Sequence, residues 1–151
     1  MVQTRTRRHV CFVSVIEGDL ATPLRERCEA DLFGRLAAEG VKVSMVAVND
    51  VGCALTVDEY ELDGLRKAVQ SLNVALRVRT RCARVVVAQR DGGAPPPSVS
   101  SVIAGMAEAG IGVIHLAGET SGLAVLVDER DAVRTQAVLA HCAAPDSRHA
   151  A

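Results

Sequence analysis

Five residues of the chain recur at one fixed spacing. Gly40 pairs with Gly110, Val43 with Val113, Val57 with Val127, Asp58 with Asp128 and Glu59 with Glu129, each 70 residues apart. They frame two stretches of the same layout, VKVSMVAVNDVGCALTVDE (residues 41–59) and IGVIHLAGETSGLAVLVDE (residues 111–129). Each follows a helix-like run that stops at Gly, climbs through apolar residues into a polar knot, resumes alternation and ends in Val-Asp-Glu. A repeat of this length constrains the fold more than any local propensity, because each copy is one supersecondary unit. Farther upstream, the Arg-Thr-Arg of residues 5–7 matches that of residues 79–81, at an offset of 74. That change of offset reads as about four extra residues in the first copy, between its first strand and the end of its first helix.

Each copy divides into the same elements. In the first, HVCFVSVIE is rich in β-branched residues and reads as a buried strand. GDLATP is a loop. LRERCEADLFGRLAAEG carries Leu24, Cys28, Leu32 and Leu36 on one helical stripe, with Gly40 as its stop. VKVSMVAV and CALTVDE are strands around NDVG, a hairpin signal. ELDGLRKAVQSLN is a second helix and VALRVRTR a further strand. The second copy repeats the plan: ARVVVAQR, the loop DGGAPPP, a helix from SVSSVIAGMAEAG capped by Ser98 or Ser100, strands IGVIHLA and LAVLVDE around GETSG, and the helix DAVRTQAVLAHC.

The order β-α-β-β-α-β is the split ferredoxin-like arrangement, an α+β fold with two helices on one face of an antiparallel sheet. The predicted divisions are a leading strand or tail at 1–8, a first unit at 9–79, a second at 80–142 and a flexible tail at 143–151. The second copy has no strand after its last helix. Val2 to Arg7 has no assigned place in the first and corresponds to ALRVRTR before the second. It therefore either completes the second unit, interleaving the two, or forms a loose basic tail.

Composition removes several function classes. Aromatic residues are 2% of the chain and Trp is absent, so the stacking platforms of single-stranded nucleic-acid binding are missing. The formal net charge of −1 offers no pull toward nucleic acid or a membrane surface. The basic start followed by Val10 to Ile16 imitates a signal peptide, but the run is too short and Glu17 and Asp19 follow it. No run approaches the roughly 20 apolar residues of a membrane span. Five scattered cysteines (Cys11, Cys28, Cys53, Cys82, Cys142) without C-x-x-C spacing read as incidental thiols in a reducing cytoplasm. No metal or cofactor is expected.

The paired units resemble the tandem ACT domains at the C-terminus of aspartokinases. AEAGIGVIHLAGETSGLAVLVDERDAVRTQAVL (residues 107–139) and AAEGVKVSMVAVNDVGCALTVDEYELDGLRKAV (residues 37–69) carry that pattern: a first helix, an AGI-like exit, two strands around a short polar turn, and Val-Asp-Glu. The resemblance covers nearly the whole chain and lies in the order and spacing of elements. In that family a leading strand also completes the second unit. The kinase catalytic domain is absent, and neither G-x-x-x-x-G-K-[ST] nor G-x-G-x-x-G occurs. The resemblance thus implies a free-standing, non-catalytic regulatory module, homodimeric, that senses a small amino acid such as lysine or threonine and modulates a partner biosynthetic enzyme.

In the family the loop after the first strand and the end of the second strand form the pocket. Carried over, the first unit offers Asp19, Thr22, Pro23, Val48, Asn49 and Asp50. The second offers Gly92, Gly93, Ser98, His115, Gly118, Glu119 and Thr120. Asp19 or Asp50 would pair with an ammonium, and Asn49 both donates and accepts. The chain departs from the family where ATPLRER replaces a Gly before the first helix and where Pro95, Pro96 and Pro97 remove backbone donors. The plain alternative is that NDVG and GETSG are hairpin turns only. His115 is the one candidate for acid–base work; the alternative is a packed or solvated imidazole. Arg5, Arg7, Arg8, Arg77, Arg79 and Arg81 form basic stripes that read either as a solvated face or edge, or as contacts for an anionic ligand or acidic partner. Two rival functions remain: an ACT-fold enzyme or small-molecule-binding protein of specialised metabolism, and a structural subunit with decayed pockets.

Overall fold

The computed structural model describes residues 2–17, 25–49, 52–90, 93 and 95–143. The elements run β1 (Val2–Glu17), α1 (Arg25–Ala38), β2 (Val43–Asn49), β3 (Gly52–Asp58), α2 (Leu62–Val69), β4 (Val74–Gln89), α3 (Val99–Glu108), β5 (Val113–Glu119), β6 (Gly122–Asp128) and α4 (Ala132–Cys142). A single 3₁₀ turn, Glu59–Glu61 or Glu129–Asp131, precedes α2 and α4.

The chain forms two compact units, His9–Arg81 and a discontinuous one of Met1–Arg8 with Cys82–Ala151. The strand order within the first is β2-β3-β1-β4, and within the second β1-β4-β6-β5. Each unit is therefore a four-stranded split β-α-β-β-α-β sheet with two helices, as the repeat implies. The leading residues are the first half of β1 and complete the sheet of the second unit. The two expected strands HVCFVSVIE and VQTRTR are one strand of 16 residues, and so are VALRVRTR and ARVVVAQR.

Both long strands carry a residue in the left-handed region where they pass from one unit to the other: His9 and Arg81, each at φ 55. A non-glycine residue there costs roughly 1–2 kcal/mol, which the ladders on either side must offset. These two residues are 72 positions apart, and the ladder agrees: Val10 faces Asp58 as Cys82 faces Asp128. The offset of 74 suggested by the two Arg-Thr-Arg triplets is thus not the structural one. Register follows the buried apolar alternation, not a shared tripeptide, and the first unit is longer by two residues rather than four.

Each unit has its own core. In the first, Cys11, Val13 and Val15 of β1 and Cys53, Leu55 and Val57 of β3 bury one sheet face against Leu32 and Leu36 of α1 and Leu65, Ala68 and Val69 of α2. In the second, Ala83, Val85 and Val87 of β4 and Leu123, Val125 and Val127 of β6 meet Val102 and Met106 of α3 and Ala132 and Leu139 of α4. Period two in the strands and spacings of three, four and seven in the helices bring these residues together. Burying each Val or Leu contributes about 1.5–3 kcal/mol relative to leaving it in water. With almost no aromatic side chains, β-branched and leucine residues fill both cores.

Both first helices end alike. Gly40 and Gly110 take φ 67 and 66. The Val41 and Ile111 amides donate to the Leu36 and Met106 carbonyls at 2.9 Å, closing the six-residue ring of a Schellman stop. The same residues are buried, so the stop also fixes where the chain enters β2 and β5. Ser98 is the cap of α3: its side chain accepts from the Ser101 amide at 3.2 Å.

Candidate functional site

Alternation divides the sheet of the discontinuous unit into two faces. Ala83, Val85 and Val87 point to the helices, so Arg84, Val86 and Ala88 point away from them. On β1, Val2 packs on the helix side and Thr4 accepts from Gln136 of α4 at 3.0 Å. Gln3, Arg5 and Arg7 therefore lie on the face away from the helices with Arg84. The β5–β6 hairpin turns at Thr120 and Ser121 and delivers Glu119 to the same face.

These residues line a concavity of about 570 Å³, whose wall includes Gln3, Arg5, Arg7, Arg84, Glu119 and Thr120, with Val86 and Ala88 as apolar floor. Arg84 and Glu119 form a close, partly buried ion pair. They come from β4 and β5, on either side of β6, so the pair reaches across that strand. A charge-assisted bond in a site shielded on the protein side is stronger than its exposed counterpart. The Arg84 Nε is buried and has no hydrogen-bond partner among the described residues. On β1, the Arg5 guanidinium donates to Gln3 Oε1 at 3.3 Å. The Gln89 amide, also in the wall, donates to the Gly93 carbonyl at 2.7 Å and ties the following loop to the cavity.

The residues expected from sequence separate into three groups. Asp19, Thr22, Pro23, Asp50 and Gly92 lie outside the described residues. Glu119 and Thr120 stand in the cavity wall, and Gly93 adjoins it through Gln89. The others do not line it. Val48 and Asn49 close β2 in the other unit, Asn49 opposite Gly52. Ser98 holds the start of α3, Gly118 is a strand residue opposite Leu123, and His115 is half-buried opposite Leu126. No set of three or more His, Cys, Asp and Glu groups suited to a metal ion occurs among the described residues.

The polar wall residues missed from sequence are Gln3, Thr6, Arg84, Gln89 and Ser121. The basic stripe of residues 5–7 was visible, with an anionic ligand as its sharper reading. Arg84 had a signal too: it is the one charged residue in the β4 run Cys82 to Ala88, at the parity opposite the buried valines.

The equivalent face of the other unit has different chemistry. Phe12 faces Thr56 as Arg84 faces Leu126, and Asn49 faces Gly52 as Glu119 faces Gly122. Phe12 and Asn49 thus occupy the places of Arg84 and Glu119 and cannot form the equivalent ion pair. Thr56 is instead fully buried, its hydroxyl 2.6 Å from Ser44 Oγ and donating to the Ser44 carbonyl at 3.0 Å.

No family model matches the sequence, and no curated protein matches it significantly. Solved structures share the fold. The chain superposes with a TM-score of 0.75 and 16% identity on a protein assigned as the C-terminal regulatory domain of aspartate kinase from Porphyromonas gingivalis W83, covering 96% of this chain and 99% of that one. The ligand-free regulatory subunit of aspartate kinase from Thermus thermophilus gives a TM-score of 0.73 at 16% identity, over 92% of this chain and 95% of that one. Aspartokinase III of E. coli, in complex with lysine and aspartate, gives 0.66 at 20% identity over 92% of this chain but 32% of the enzyme. The fold is that of aspartate kinase regulatory domains, with two interleaved ACT-type units.

Proposed function

We propose that this chain is a non-catalytic regulatory protein of the tandem ACT type, which binds a small amino acid and passes its occupancy to a partner biosynthetic enzyme. One observation carries the reading: the fold spans 99% of a chain assigned as a regulatory domain of aspartate kinase and 95% of a regulatory subunit of aspartate kinase. The cavity supports it, because its lining combines guanidinium groups with a carboxylate, the two kinds of group that complement a zwitterion. Amino-acid binding, a homodimeric state, a cytoplasmic setting and a partner enzyme together make up the proposal. For binding to have any regulatory effect, the ligand must prefer one arrangement of the protein over another.

The test is the thermal stability of the pure chain against the twenty amino acids. A ligand present at a hundred times its dissociation constant adds about 2.7 kcal/mol to the folded state, a readily visible rise in melting temperature. A selective rise with one or two members supports sensing. A flat response across the panel overturns it.

A further inference from the structure

We infer that the cavity on the helix-free face of the discontinuous unit takes an acidic α-amino acid, a small ligand with two carboxylates and one ammonium, one per chain. This rests on the amino-acid reading above and narrows it. Among the described residues, the guanidinium groups of Arg5, Arg7 and Arg84 line the cavity with one carboxylate, Glu119, which already engages Arg84. Arg5, whose guanidinium meets only the neutral Gln3 amide, gives the described wall its cationic excess. A ligand with a second ammonium would set like charges a few ångströms apart, whereas a second carboxylate meets planar donors suited to bidentate contact. Glu119 is the acceptor for the ligand ammonium, and the Thr120 and Ser121 hydroxyls and the Gln3 amide supply neutral partners at the rim. The other unit has Phe12 and Asn49 in the places of Arg84 and Glu119, and on that difference the expected ratio is one ligand per chain.

The experiment is calorimetric titration of the full chain with L-aspartate, L-glutamate, L-lysine, L-threonine and succinate, at low and at raised salt. Aspartate or glutamate is expected to bind at one site per chain, at least about tenfold more tightly than lysine, a factor set by one charge-assisted contact. Binding should weaken as salt rises. Arg5 is exposed, so Arg5→Gln folds normally and is expected to weaken binding about tenfold; Arg84→Gln should do so more strongly. Preferential binding of lysine or threonine overturns the inference and leaves amino-acid sensing standing. Acidic amino acids that bind Arg5→Gln and Arg84→Gln as well as the parent overturn the site. Succinate binding as tightly as aspartate, or no binding by any of the five, overturns the inference; in the first case the amino-acid reading of the cavity falls with it.

Discussion

Gly52 and Gly122 stand at the same place in the two units, each opening the third strand against a neighbour that comes too close for a side chain. A Cβ on Gly52 would fall 1.9 Å from the Val15 carbonyl oxygen, and one on Gly122 would fall 1.9 Å from that of Val87. Gly52 also has φ +149, which L residues rarely adopt. The obstruction is backbone, so it cannot swing aside. Gly52→Ala and Gly122→Ala are each expected to destabilise the chain by about 2–3 kcal/mol, measured by urea denaturation. A loss under half a kcal/mol would show that the strands separate without cost.

The helix stops and starts give a smaller, graded effect. A Cβ on Gly110 meets nothing within 4 Å, so its φ of +66 is the only obstacle. Gly110→Ala should cost about 1 kcal/mol and Gly110→Asn less. Ser98→Ala should cost a similar amount by freeing the Ser101 amide, and Ser98→Asp should retain the cap. Ligand affinity in Ser98→Ala should stay unchanged, because Ser98 is outside the cavity wall; calorimetry alongside denaturation separates the two roles.

Two buried threonines should respond in opposite directions. Thr56 exchanges hydrogen bonds with Ser44, whereas Thr135 Oγ1 is buried with no partner among the described residues. Thr56→Val is expected to destabilise by about 1–2 kcal/mol, since it orphans the Ser44 groups, and Thr135→Val to be neutral or stabilising by up to about 1 kcal/mol. Equal losses at both sites would sink this assignment.

Cys142 should titrate late. Burial pushes its thiol up from the ordinary value, Glu108 pushes it further, and a backbone hydrogen bond opposes them. The raised value means the folded state favours the protonated thiol. Its stability contribution is therefore complete below the unfolded thiol's pKa and is lost as pH rises through the folded one. Alkylation by iodoacetamide at mildly alkaline pH should be slower in the folded chain than in urea, with the gap narrowing as pH climbs. Identical rates would contradict the burial argument.

The repeat at 70 residues made the order of elements legible, because Gly40 and Gly110 mark helix ends by a backbone requirement that few residues meet. The continuity of β1 was harder to read. Arg7, Arg8 and His9 look like a polar break, yet an extended chain tolerates polar residues on an open face, and the left-handed turn at His9 carries no glycine to announce it. The site was only half visible for a related reason. Loops after strands attract attention through Gly, Pro and Asp, whereas Arg84 and Gln3 are placed by parity and by a partner strand far away in sequence. Nothing local to Arg84 shows that Glu119 will reach it.

The inner unit, His9–Arg81, is one uninterrupted stretch of chain, while the unit that holds the cavity is encoded in two pieces on either side of it. In genetic terms the two are not equally portable. A single pair of breakpoints can lift out the inner unit whole, but no single crossover can acquire or discard the outer one. The cavity-bearing unit is therefore inherited only with its neighbour or with the gap left by its neighbour, and shuffling that preserves one open reading frame keeps the pair together.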